Sequence, residues 1–164
     1  MIADSVEPMH ERATPEELAE RRQKAYAAAI ERTGIDEAMI ARLVARFYAR
    51  VRADAILGPI FNPRVHDWPK HEAKIATFWS SVMLQSGTYH GRPMPAHAPL
   101  PVGSGHFDHW LKLFGEAARD VCPPEQAAMF VERANAIAQS LEFGVATFRG
   151  QILDPGKRLK APDA

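Results

Sequence analysis

The sequence has almost no cysteine. Cys122 stands alone among 164 residues, so no intrachain disulfide can form and no cysteine-based zinc or iron–sulfur centre can be built from one chain. Beside Pro123 and Pro124 it reads as a small buried or half-buried side chain. Long apolar runs are lacking too. No stretch approaches the ~18 consecutive apolar residues that cross a bilayer. Charge of one sign is absent: Lys+Arg and Asp+Glu number 20 each, which leaves no electrostatic footprint for nucleic acid or an anionic membrane. The first residues, MIADSVEPMHERATPEE, carry acid early and lack the apolar centre of a signal peptide. A soluble cytoplasmic protein is the expectation. There is no Gly-rich phosphate loop, no G-x-S-x-G elbow and no H-E-x-x-H pair.

What the sequence does have is helix signals. Thr14, Pro15 and Glu17 form a capping-box pattern with proline where a missing N–H does no harm. The segment EELAERRQKAYAAAIERTG then carries a thin apolar stripe, Leu18, Tyr26, Ala29 and Ile30, and stops at Gly34. Such a helix could dock, dimerise or stand off the rest. Asp36 caps a second helix whose apolar positions, Met39, Ile40, Leu43, Val44, Phe47, Tyr48 and Val51, recur at three and four residues. Asp67 caps a third, ending near Gly87. A fourth runs from His106 towards Pro123, and a fifth from Pro124 to Phe148. The tail GQILDPGKRLKAPDA is polar and is expected to fray. No strand, hairpin or internal repeat is evident, so an all-α domain of about five helices is expected.

The chemistry-bearing residues are mostly histidine. Seven occur, and five of them lie between residues 66 and 106. His71 shares one helix face with Ile75, Phe78 and Trp79; it either caps a core edge or looks into a pocket. Tyr48 and Trp110 sit at apolar-face positions and each brings a polar handle that needs a partner when buried. Each alone is an ordinary core aromatic; with His71, three donors on three helices could converge on one small polar ligand. A non-haem metal site is the rival use of the histidines, and His106 and His109 have the closer spacing for it. His106 also stands at a helix start, where capping is commoner. His97 is set in MPAHAPLP among three prolines, which forbid a long helix; in such a stretch a histidine is most often solvated.

Four segments in order, RFYARVRADAILGPIFNPRV, DWPKHEAKIATFWSSVML, YHGRPMPAHAPLP and HFDHWLKLF, together resemble the group III truncated haemoglobins over roughly residues 36–148. The resemblance implies a truncated globin-like two-over-two helical sandwich holding one b-type haem (iron protoporphyrin IX), with an extra N-terminal helix. It divides the chain into an extension over 1–34, a globin domain over 35–150 and a polar tail over 151–164. It makes His97 the proximal iron ligand, with flanking prolines stiffening the segment and the other ring nitrogen held by a carbonyl. Phe61 becomes the aromatic on the haem face, and Tyr48, His71 and Trp110 the distal donors. Phe47, Ile75, Phe78, Trp79 and Phe114 supply apolar walls, and Tyr89 and Arg92 meet the propionates. No C-x-x-C-H occurs, so the haem is expected to be non-covalent. The ligands implied are oxygen, carbon monoxide and nitric oxide. Tight holding of oxygen would suit nitric oxide dioxygenation or peroxide chemistry, with a reductase as partner. The alternative is a non-haem helical interaction domain that uses the N-terminal amphipathic helix as a partner-binding arm.

Overall fold

Three of the long helices start where a side chain takes up a free backbone N–H group. In the computed structural model, which describes residues 12–163, Thr14 accepts from the Glu17 N–H and Glu17 accepts from that of Thr14. This opens α1 (Pro15–Thr33), which Gly34 closes in the left-handed conformation, φ 70°. Asp36 accepts from the Met39 N–H at 2.8 Å and opens α2 (Glu37–Ala53). Asp67 does the same for α4 (Trp68–Leu84) through Lys70. That helix stops at Leu84, short of the expected Gly87, because Gln85 itself takes the left-handed position. Two short helices add to the five expected, α3 (Gly58–Phe61) and α5 (Pro93–His97). The long α6 (Ser104–Val121) and α7 (Pro124–Phe148) complete the chain. No strand occurs among the described residues. The expectation of no signal peptide rests on residues 1–17, of which 1–11 lie outside the described ones.

α2 packs on α4 and α6, and α6 packs on α7. Two helix pairs, α2–α4 and α6–α7, are thus joined through α2 and α6, the two-over-two arrangement. The seven apolar positions read from the α2 periodicity are all buried. They meet Phe114, Phe130 and Leu84 in the larger of two cores. Removing an aromatic of this size from water stabilises the fold by about 1.5–3 kcal/mol. No helix of the described residues is long and apolar enough to cross a membrane.

α1 docks. It packs on α4, Ala29 is fully buried, and the Tyr26 hydroxyl donates to Glu37, which also accepts from the buried Ser80 hydroxyl. Leu18, at the other end of the stripe, stays exposed. The tail departs from the expectation of fraying. Leu159 is buried in the second core with Val102, Phe107 and Val145, and its N–H donates to Glu142. Apolar residues scattered in a polar stretch were too weak a signal to read, but Leu159, with Leu153 packed beside it and Arg158 gripping Glu142 and Asp108, suffices to hold the segment.

Candidate functional site

Prolines give α5 its start and confine it to a single turn. Within that turn the His97 Nδ1–H donates to the Pro93 carbonyl at 2.7 Å, the nearby carbonyl that the sequence left unnamed. This bond fixes the tautomer and leaves the Nε2 lone pair free for a metal. α5 is seated against α7 by Met94, whose thioether fills the space that a side chain on Gly144 would occupy. The imidazole faces an apolar cleft lined by Leu57 and Phe61 from the α3 region, Leu100 and Val102 after α5, Phe107 and Trp110 of α6, and Leu141 of α7.

Tyr48 and His71 lie behind Phe61. The Tyr48 ring is 6.4 Å from Phe61 and 4.9 Å from the His71 ring, edge to face. Trp68 closes against both and is itself covered by the Arg52 guanidinium, 4.9 Å from the ring centre. In this shell His71 Nε2 is buried without a hydrogen-bond partner. The Tyr48 hydroxyl makes no hydrogen bond among the described residues either. Burial, followed by the charge of Glu72, raises the Tyr48 pKa, so the hydroxyl keeps its proton. Burial lowers that of His71, and Lys74 and His97 add to the effect, which favours the neutral ring.

Trp110 is reached through Phe47, whose ring is 5.0 Å from Tyr48 and 5.5 Å from Trp110. Trp110 stacks on Phe114 at 5.4 Å, and Trp79 stacks on the far side of Phe114 at 5.0 Å. The structure therefore gathers His97, Phe61 and Trp110 around the cleft and sets Tyr48 and His71 beside it. Phe47, Phe114 and Trp79 form a buried aromatic stack behind Trp110. Ile75 and Phe78 are half-buried on α4, and Tyr89 packs edge-on against Phe78 at 5.2 Å. Arg92 is exposed at the start of α5. His106 takes the capping role, accepting from the Gly103 N–H, and His109 pairs with Asp54 at 2.7 Å. No three His, Cys, Asp or Glu side chains converge as a metal site among the described residues. Sequence reasoning missed Leu57, Leu100, Val102 and Phe107 as lining. They carry no polar group to single them out; their only signal is apolar character close to His97 and Trp110.

An imidazole with a free Nε2 on an apolar cleft, with an unpartnered histidine nitrogen in an aromatic shell nearby, is a globin-like donor set. The bacterial-like globin profile matches residues 28–142. The chain belongs to the bacterial-like globins. This globin is 38% identical over 113 residues to a group 3 truncated haemoglobin of Campylobacter jejuni, covering 66% of its own length and 89% of that protein. It also matches the crystal structure of a group III truncated haemoglobin from C. jejuni with a TM-score of 0.63 and 35% identity, over 75% of this chain and 95% of that one. Family membership implies haem-based ligand binding. The residues present fit such a group: one imidazole whose Nδ1 is tethered and whose Nε2 is left over, apolar and aromatic walls, and a buried His71 Nε2 without a partner.

Proposed function

We propose that this globin holds one non-covalent b-type haem between His97 and the Tyr48–His71–Trp110 side, and binds oxygen, carbon monoxide and nitric oxide there. Ferrous haem supplies the open iron position that takes a diatomic gas. His97 presents Nε2, and its Nδ1 bond to Pro93 keeps the ring from turning. Phe61 would pack on the bound haem, and Tyr89 and Arg92 would be the residues to meet its propionates. Tyr48 donates from its hydroxyl and Trp110 from its indole N–H to a ligand that has gained negative charge. His71 would add a weak donor, gate ligand entry, or bind the iron itself when no ligand is present.

The observation that carries this reading is the buried His71 Nε2 without a hydrogen-bond partner, packed against the buried Tyr48 ring. Polar groups in native interiors nearly always find a partner, and leaving one unpaired costs about 1–3 kcal/mol. His71 bears that cost at its Nε2, with its ring 4.9 Å from that of Tyr48. Donors aimed at a charged ligand hold it tightly, which suits chemistry on the ligand, either oxidation of nitric oxide to nitrate or reduction of peroxide. Either turnover consumes electrons and so requires an electron donor, for which a reductase is the candidate partner. The docking of α1 on α4 counts against a free partner-binding arm. The test is the absorption spectrum of the purified protein, reduced, with and without carbon monoxide. An intense Soret band that shifts with carbon monoxide is expected. A colourless protein that takes up no added haemin would refute the reading and leave a helical interaction domain.

A further inference from the structure

Arg149, just past the end of α7, makes bonds that the ligand-binding reading does not use. Its guanidinium donates to the Val102 carbonyl at 2.7 Å, to the Leu100 carbonyl, and at 3.3 Å to that of Lys160. Leu100 and Val102 belong to the loop that leaves His97, and both line the cleft. Leu100 is in turn bonded to His97 itself, its N–H donating to the His97 carbonyl. One side chain thus grips the proximal loop and the C-terminal tail together.

The tail completes the grip. Its Leu159 carbonyl accepts from the Ser104 N–H at 2.9 Å, and the chain at Ala161 passes so close to Gly103 that a Cβ there would strike its backbone. Leu159 is anchored in the second core, and Glu142 on α7 accepts from its N–H and from Arg158. The loop between α5 and α6 is therefore clasped from outside by residues 157–161 and pinned from within by Arg149.

We propose that Arg149 is a positioning residue for His97, and that the C-terminal tail is a strap that holds the proximal loop in place. The proposal rests on the reading that His97 ligates the haem iron. A guanidinium suits the task because its planar fork reaches several carbonyls at once, which a lysine cannot do. The strap lowers the freedom of the loop and so would fix the direction in which the His97 ring meets a bound iron.

The experiment compares full-length wild type with Arg149→Met, Arg149→Lys and Arg158→Met. The iron–histidine stretching band of the ferrous protein is read by resonance Raman, and ferric haem transfer to excess apomyoglobin is timed. Arg149→Met is expected to shift or broaden the band and to speed haem transfer roughly tenfold, the order set by losing charge-assisted hydrogen bonds. Arg149→Lys should restore part of both, and Arg158→Met should move both in the same direction by less. If Arg149→Met does not fold, the lysine and Arg158 variants carry the comparison. Band and transfer rate equal to wild type, even with a lower melting temperature, would overturn the strap. A wild type that holds haem without any iron–histidine band would instead overturn the assignment of His97, and the strap with it.

Discussion

Replacing Tyr48 by phenylalanine isolates a single oxygen atom. The tyrosine ring is buried against Phe47, Trp68 and His71, and phenylalanine keeps those contacts. The hydroxyl has no partner among the described residues, so its removal leaves no protein group unsatisfied. Deleting an unpaired polar atom is close to neutral for stability, and the melting temperature should stay level or rise. The loss falls on the ligand. A hydrogen bond to a charged partner is worth about 1.5–3 kcal/mol, and ~1.4 kcal/mol is a factor of ten. Oxygen release should accelerate roughly 10- to 150-fold, measured by stopped-flow displacement with carbon monoxide. Carbon monoxide gains less charge and should respond less. An unchanged oxygen release rate, or equal acceleration for both gases, would refute the assignment of Tyr48 as the distal donor.

Other perturbations test the scaffold. Phe130→Ala removes a fully buried ring at the centre of the larger core and should cost about 3–5 kcal/mol in a denaturant titration. Asp54→Ala removes the acceptor for the Ile56 and Leu57 N–H groups and for His109; a loss of about 1–2 kcal/mol is expected, as for a strong cap. Gly144→Val forces Met94 off α7, and should loosen α5 and speed haem loss while helix content by circular dichroism is kept. Arg158 holds the Glu142 carboxyl below its ordinary range. A depressed folded pKa contributes stability that is complete above the unfolded value and is lost as pH falls through the folded one. Glu142→Gln should therefore be less stable than wild type at neutral pH, with the gap closing in acid; a gap constant with pH would contradict this.

How much was legible followed from where the signal lay. Caps at Thr14, Asp36 and Asp67 and the stop at Gly34 are local chemistry, and each appears where the sequence places it. The α2 face was readable because burial on one side of a helix imposes a period. α3 and α5 are single turns among prolines and glycine, too short to show a period. The acceptor for His97 lay within its own turn, but the sequence could not show that this turn is helical. Arg149 and Gly144 escaped notice because their partners lie 47 to 50 positions away and are backbone or thioether, groups every sequence supplies. The tail was misjudged for a related reason: a stretch of mostly polar composition hid one buried leucine and the ion pairs that hold it.

The central claim is that His97 Nε2 ligates haem iron, and the most direct test is His97→Gly with free imidazole added back. The account predicts that the ferrous variant loses the iron–histidine stretching band, and that imidazole entering the space restores a five-coordinate band at a shifted frequency, since it lacks the Pro93 tether. A His97→Gly protein that keeps the wild-type band with no imidazole present would show that another residue ligates the iron, and would contradict the account.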